Sequence, residues 1–211
     1  MSWKTEVFDG ELLPLIAILR GIMPAEVEQH VEVLIEAGFN AIEIPLNSPD
    51  WQTSIKAVSA KYGARALIGG GTVLTPQNVD QLAELGGKLV VTPNTSAPVI
   101  RRAVELGMVV CAGCATASEA FTALEAGAQG LKIFPSSAFG PDYIKALKAV
   151  LPPEIPVFAV GGVTPENLHL FMAAGCIGAG LGSDLYRAGQ PVSRTQQQAR
   201  AFIDAYQGAL Q

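Results

Sequence analysis

A single-domain (β/α)8 TIM barrel of the α/β class is the fold that this sequence predicts, on three observations. Short apolar or β-branched runs recur eight times, with centres roughly 20 to 26 residues apart, the length of one strand plus one crossover helix. Between them lie helix-like stretches, five of the eight opening on Pro and several closing on an Ala-Gly or Leu-Gly phrase. Neither phosphate loop of the competing open sheet is present. Arg20-Gly21-Ile22-Met23-Pro24 stands where a Gly-x-Gly-x-x-Gly turn would follow the first strand, and no Gly-x4-Gly-Lys-Ser/Thr occurs.

The elements follow in order. A short leading segment, 1–14, precedes a strand over 15–19 and a helix over 24–37 that opens on Pro24 and stops at Gly38. A strand over 41–46 leads to a helix over 49–61, and one over 66–68 runs into Gly69-Gly70-Gly71 before a helix over 76–85. Strands over 89–92 and 108–111 precede helices over 96–106 and 116–126, stopped by Gly107 and Gly127. Strands over 130–134, 157–160 and 177–181 precede helices over 140–150, 165–174 and 191–209. The closing phrase recurs in Glu36-Ala37-Gly38, Glu105-Leu106-Gly107, Glu125-Ala126-Gly127 and Ala173-Ala174-Gly175, which marks an internal βα repeat, so residues 1–211 form one domain.

Composition excludes several classes of function. With 49 % hydrophobic and 16 % charged residues, the chain has the apolar material that disorder lacks. A net charge of -5 and no Lys/Arg cluster leave nothing to displace counterions from a nucleic acid backbone. The apolar run over 12–19 is short, broken by Pro14 and preceded by acids, so neither export nor membrane spanning is expected. Three cysteines and two distant histidines make no disulfide framework and no zinc spacing, and the reducing cytoplasm is the expected compartment. Cys111-Ala-Gly-Cys114 lies in and after a strand, away from the helix start that a redox pair uses. His30 and His169 fall in helix patterns and are expected to face solvent.

In a barrel, chemistry sits at the C-terminal ends of the strands, so polar residues inside or just after apolar runs carry the information. Glu43 stands in Ala-Ile-Glu-Ile-Pro and Lys132 in Gly-Leu-Lys-Ile-Phe-Pro. Period-two alternation sends Ile42, Ile44, Leu131 and Ile133 to the helix layer and both charges into the barrel. They are either a buried ion pair joining strands 2 and 6 or an amine and a carboxyl kept for chemistry. A desolvated lysine has its neutral form favoured, and that amine can attack a carbonyl. Lys4, Lys56, Lys61, Lys88, Lys145 and Lys148 lie in polar or helical settings.

Arg20 ends strand 1 and Thr72 follows the glycine run of strand 3. A guanidinium fork at Arg20 suits a carboxylate, or else a rim salt bridge; the glycine run suits close approach of a ligand to backbone amides, or else a simple bend. Val160-Gly161-Gly162-Val163 after strand 7 and Gly180-Leu181-Gly182-Ser183-Asp184 after strand 8 stand where barrels bind phosphate.

Taken with Ala-Ile-Leu-Arg-Gly at 17–21, Gly-Thr-Val at 71–73, Thr-Pro-Asn at 92–94 and Gly-Gly-Val at 161–163, these motifs resemble the 2-keto-3-deoxy-6-phosphosugar-acid aldolases along nearly the whole chain. The resemblance implies a class I aldolase, usually a homotrimer, that cuts a small phosphorylated keto sugar acid into pyruvate and glyceraldehyde 3-phosphate. It makes Lys132 the Schiff-base lysine and Glu43 the proton shuttle, with Arg20 and Thr72 on the carboxylate side. It also brings Pro93, Phe134 and Val160 to the substrate, and Gly161, Gly162, Gly182 and Ser183 to the phosphate end. No metal or other cofactor is implied, because the iminium is itself the electron sink. Val160 and Asn47, where gluconate-cleaving members commonly carry Thr and Arg, point to the galactonate branch, with the gluconate branch as the alternative. A phosphosugar epimerase or a noncatalytic sugar-phosphate binder on a similar barrel needs no buried amine at position 132.

Overall fold

The computed structural model describes residues 13–210. All but Leu13 and Pro14 of the expected leading segment therefore lies outside the described residues. Eight parallel strands close into a barrel in sequence order, each followed by one helix on the outside. They are β1 (Leu15–Ile18), α1 (Pro24–Ala37), β2 (Ala41–Pro45), α2 (Trp51–Tyr62), β3 (Leu67–Gly71), α3 (Pro76–Glu84), β4 (Leu89–Val91) and α4 (Ala97–Glu105). The second half repeats the alternation with β5 (Val109–Cys114), α5 (Ala117–Glu125), β6 (Gly130–Ile133), α6 (Ser136–Lys148), β7 (Val157–Val160), α7 (Leu168–Ala173), β8 (Gly178–Leu181) and α8 (Val192–Ala209). β8 pairs with β1 through Ile16 and Gly180, so no edge remains among the described strands. No helix among the described residues is long and apolar enough to cross a membrane.

Two apolar layers result from strand alternation. Ile42, Ile44, Leu131, Ile133, Val157 and Ala159 pack outward against the helices, with Val31, Leu34 and Phe202 among the helix residues that meet them. Ile16, Ile18, Leu89, Val91, Phe158 and Val160 fill the barrel itself. The second set lies below and beside Glu43 and Lys132, whose register partners on neighbouring strands are Ile18 and Gly69, and Gly113 and Phe158.

The expected boundaries shift where glycine misleads. β3 runs through Gly69, Gly70 and Gly71, for which the sequence left open close approach of a ligand or a simple bend. All three are ladder residues, and small because the space is taken: a Cβ on Gly69 would stand 1.9 Å from the Leu89 carbonyl oxygen, and one on Gly70 2.6 Å from Leu46 Cδ1. β5 likewise extends to Cys114, where Gly113 N donates to Thr92 Oγ1 at 3.0 Å. α6 begins at Ser136, ahead of the expected start, and kinks at Gly140, whose φ of 77° is the left-handed turn that Gly-Pro allows. α2 starts after Asp50 (φ 43°), and α7 starts at Leu168 because the Asn167 side chain holds Thr164 N and Gly162 O in a preceding turn.

One expectation is overturned. His30 is buried, 1 % exposed, because the face carrying Val27, His30, Val31 and Leu34 packs against α8. Its Nδ1 lies 2.8 Å from Thr195 Oγ1, and its ring stands edge-on to Tyr186 at 5.0 Å. His169 is exposed. The three cysteines are buried thiols, and burial pushes each up to about 12.

The close contact at Gly69 gives a stability test. Gly69→Ala must push β3 from the backbone of β4, and the expected cost is about 3 kcal/mol or more, read as a lower urea midpoint with an unchanged slope. A midpoint within error of the unsubstituted protein would show that the ladder at β3 yields freely.

Candidate active site

The C-terminal ends of the strands surround a cavity of about 570 Å³. Lys132 enters it from β6, with Leu131 and Ile133 on either side fixed outward in the helix layer. The side chain is 5 % exposed, and its Nζ lies 4.8 Å from the centroid of the Phe134 ring. Burial pulls its pKa below the ordinary lysine value, the Glu43 carboxylate acts in the opposite sense, and Arg20 adds to the lowering. Part of the population is therefore free amine at a pH where a surface lysine is ammonium.

Glu43 enters from β2 and is 2 % exposed. Burial pushes its carboxyl up to about 7, against the pull of the Lys132 and Arg20 cations. Its Oε2 has no hydrogen-bond partner among the described residues. The ion pairs among those residues, Lys61 with Glu28, Arg65 with Glu32, and Arg102 with Asp80 and Glu105, are all exposed pairs on helices and loops. Glu43 and Lys132 thus face each other's field without a direct ion pair. Gly71 explains how the carboxyl fits: a Cβ there would stand 1.7 Å from Glu43 Oε2. The glycine makes room for a side chain of the site itself, which neither the bend nor the ligand-approach reading supplied.

Arg20 follows β1 in a turn. Its Nη1 donates to Asn47 Oδ1 at 2.8 Å, and its Nη2 reaches Thr72 Oγ1 at a long 3.4 Å. Both acceptors are neutral, so the rim salt bridge is not formed. Thr72 itself has φ 55°, a left-handed conformation that a β-branched residue rarely adopts. It meets the site through Arg20 and is not part of the cavity wall. Pro93 is also outside the wall. Its backbone is packed on β5, where a Cβ on Gly113 would lie 2.4 Å from the Pro93 carbonyl carbon, and Thr92 Oγ1 turns the chain by donating to Asn94 O at 2.7 Å.

Phe134, Val160, Gly161 and Gly162 line the cavity on one side, and Gly182 and Ser183 continue the wall. Gly161 and Gly162 both have positive φ, 95° and 74°, and a Cβ on Gly162 would stand 2.6 Å from Ser137 Cβ. The buried Ser136 ties β6 to β7: its Oγ donates to Ile133 O at 2.8 Å and accepts from Val160 N at 3.0 Å. The sequence reading missed Ile18, Val163, Asp184, Tyr186 and Arg187 in the wall. Ile18 was legible from the inward phase of β1. The others lie in loops, where no periodicity marks a direction.

A desolvated amine next to a carboxyl poised near neutrality, with a cationic fork on one side and glycine loops on the other, suits covalent chemistry on an anionic carbonyl compound. Comparisons with known proteins agree. The chain is 67 % identical, over the full length of both, to 2-dehydro-3-deoxy-6-phosphogalactonate aldolase of Escherichia coli K12. A solved structure described as native KDPGal is also 67 % identical, with a TM-score of 0.94 over 100 % of this chain and 99 % of that one. A chain of a cube-shaped cage designed by fusing symmetric oligomeric domains is 70 % identical, with a TM-score of 0.93 over 94 % of this chain and 73 % of that one. The model of the KDPG and KHG aldolases matches residues 8–199, and the chain belongs to that aldolase family.

Proposed function

We propose that this lyase cleaves 2-dehydro-3-deoxy-6-phosphogalactonate to pyruvate and glyceraldehyde 3-phosphate through a Schiff base on Lys132. The observation that carries the reading is the desolvated Lys132 amine beside the buried Glu43 carboxyl at about 7. The identity to the Escherichia coli enzyme supports the substrate.

The free Lys132 amine adds to the C2 ketone, and the carbinolamine loses water to give an iminium. Glu43 as carboxylate takes the C4 hydroxyl proton. The C3–C4 bond breaks, its electron pair flows into the iminium, and the aldehyde leaves. The protonated Glu43 then returns its proton to C3 of the enamine, and water hydrolyses the iminium to release pyruvate and the amine. A carboxyl near 7 suits both halves of that cycle, since it accepts and donates at neutral pH. Arg20, held open by Asn47 and Thr72, faces the substrate carboxylate, and the backbone at Gly161, Gly162, Gly182 and Ser183 takes the phosphate. A homotrimer in the cytoplasm completes the proposal, supported by the likeness to a chain built from symmetric oligomeric domains and by three thiols kept buried and unpaired.

Lys132→Met is expected to abolish covalent trapping of pyruvate by borohydride, read as a mass increase, while circular dichroism keeps the barrel signature. Label on Lys145 or Lys148 instead would disprove the assignment of the amine.

Glu43→Gln is expected to keep trapping yet to slow turnover about 10²- to 10⁴-fold, the range for a general base, and to remove the inflection near neutrality from the pH profile. Stability follows the same group with a definite sign. Between 4.5 and about 7 the folded carboxyl holds a proton that the unfolded chain has released, so its contribution is full below 4.5 and lost as pH rises through about 7. Glu43→Gln should therefore match the unsubstituted protein in urea at low pH and exceed it above neutrality; the reverse order would contradict the burial argument.

Val160, 4 % exposed in the cavity wall, offers no hydroxyl to a substrate oxygen. A C4 hydroxyl forced against it loses a water partner at a cost of about 1 to 3 kcal/mol, which disfavours the gluconate epimer. The galactonate epimer is expected to be preferred about tenfold or more in kcat/KM, at about 1.4 kcal/mol per decade. Val160→Thr should narrow the gap by improving the gluconate reaction, and parity of the two epimers in the unsubstituted enzyme would overturn the substrate choice.

A further inference from the structure

We infer that Arg187, in the loop between β8 and α8, is a substrate-binding residue that supplies the cation for the terminal phosphate, an inference that rests on the phosphorylated keto acid being the substrate. Three cationic side chains line the cavity: Arg20, Lys132 and Arg187. Arg20 is tied towards β2 and β3 by Asn47 and Thr72, and Lys132 is the reacting amine on β6. Arg187 is therefore the cation at the end where Gly161, Gly162, Gly182 and Ser183 lie. The same end carries Asp184 in the wall, a carboxylate that would repel a phosphate dianion unless a cation offset it.

The geometry around Arg187 leaves its charge available and fixes its base. Its Nε donates to the Ser183 carbonyl at 2.8 Å, while among the described residues neither terminal amino group is held by a hydrogen bond or an ion pair. A guanidinium oriented through Nε presents its two outer N–H groups as a fork, the arrangement that matches two phosphate oxygens. The loop is set from behind by a polar clamp. Gln190 Oε1 accepts from Arg187 N at 3.0 Å, and Gln190 Nε2 donates to Leu185 O at 2.9 Å and to Thr195 Oγ1 at 2.7 Å. Thr195 in turn meets the buried His30 of α1, and Gln198 Nε2 donates to Asp184 O at 2.7 Å. Rigid support of this kind lowers the ordering cost of binding. The backbone glycines give the phosphate its hydrogen bonds, and Arg187 gives discrimination between a dianion and a neutral hydroxyl at the same carbon.

The test compares the phosphorylated keto acid with its unphosphorylated 2-keto-3-deoxy analogue. Arg187→Ala is expected to lower kcat/KM for the phosphorylated substrate about 10- to 100-fold, chiefly through KM, the range for a lost charged hydrogen bond. Turnover of the analogue and borohydride trapping of pyruvate should stay unchanged, and Arg187→Lys, which keeps the charge without the fork, should recover part of the loss. Equal losses on both substrates, no loss, or a Lys variant as poor as the Ala variant would overturn the inference, the last by reducing Arg187 to a brace for the Ser183 carbonyl. An unsubstituted enzyme that cleaves neither compound would overturn the substrate reading itself, and one that cleaves both equally would remove the phosphate site while leaving the Schiff-base chemistry intact.

Discussion

Two opposite charges are removed from water in the same apolar barrel and are not allowed to neutralise each other in a direct pair. Glu43 and Lys132 come from opposite sides of the closed sheet, β2 and β6, so the strand order itself sets their separation. In contact, each would hold the other ionised and inert. Far apart, each would lie fully at the mercy of desolvation. At the intermediate arrangement burial is the larger effect on both groups and the partner's field the smaller one, which lowers the amine's pKa below the ordinary lysine value and leaves the carboxyl close to changing state at neutral pH. The barrel interior can bear this because Ile16, Phe158 and the other residues of the inner layer are close-packed beneath the site and, apart from the Cys111 thiol, have apolar side chains.

Absent side chains shape the site as much as present ones. Gly71 is the counterpart of Glu43, since the carboxyl occupies the volume that any Cβ there would need. Gly162 plays the same part for Ser137, at the start of the helix that follows the lysine strand. Ser136, next to it, links the ends of β6 and β7 by one hydroxyl and so couples the position of the amine to that of Val160. The strand of Lys132, the Val160 wall residue and the Gly161-Gly162 loop are thereby joined through a single short turn.

Much of this was legible in the sequence, and for physical reasons. β7 and α1 were read with their observed bounds, because an apolar run of four and a Pro-to-Gly helix leave little latitude. Lys132 and Glu43 were legible because a charge flanked by outward-facing apolar residues must point inward. Glycines were the main source of error: in β3 and β5 they are ladder residues crowded by neighbours, a property of tertiary packing that no local pattern carries. His30 shares the aliphatic stripe of Val27, Val31 and Leu34, whose spacing already pointed inward; what no local pattern carries is its partner, Thr195 on α8, 165 residues away. Pro93 and Thr72, which the resemblance brings to the substrate, stand outside the cavity wall, and Tyr186 and Arg187 join that wall from an irregular loop.

The tether of Arg20 to Asn47 and Thr72 has an effect on how ligand affinity responds to the medium. An arginine resting on a carboxylate must exchange one counter-ion for another when an anion arrives, and its affinity then follows the protonation of the acid it leaves. Arg20 rests on an amide and a hydroxyl, neither of which titrates near neutrality. Its charge has no carboxylate in direct contact, and mobile ions of the solution screen it over about 8 Å at physiological ionic strength. An anion arriving at Arg20 therefore displaces no protein carboxylate in direct contact, and pH reaches this cation only through the field of the more distant Glu43 and Lys132.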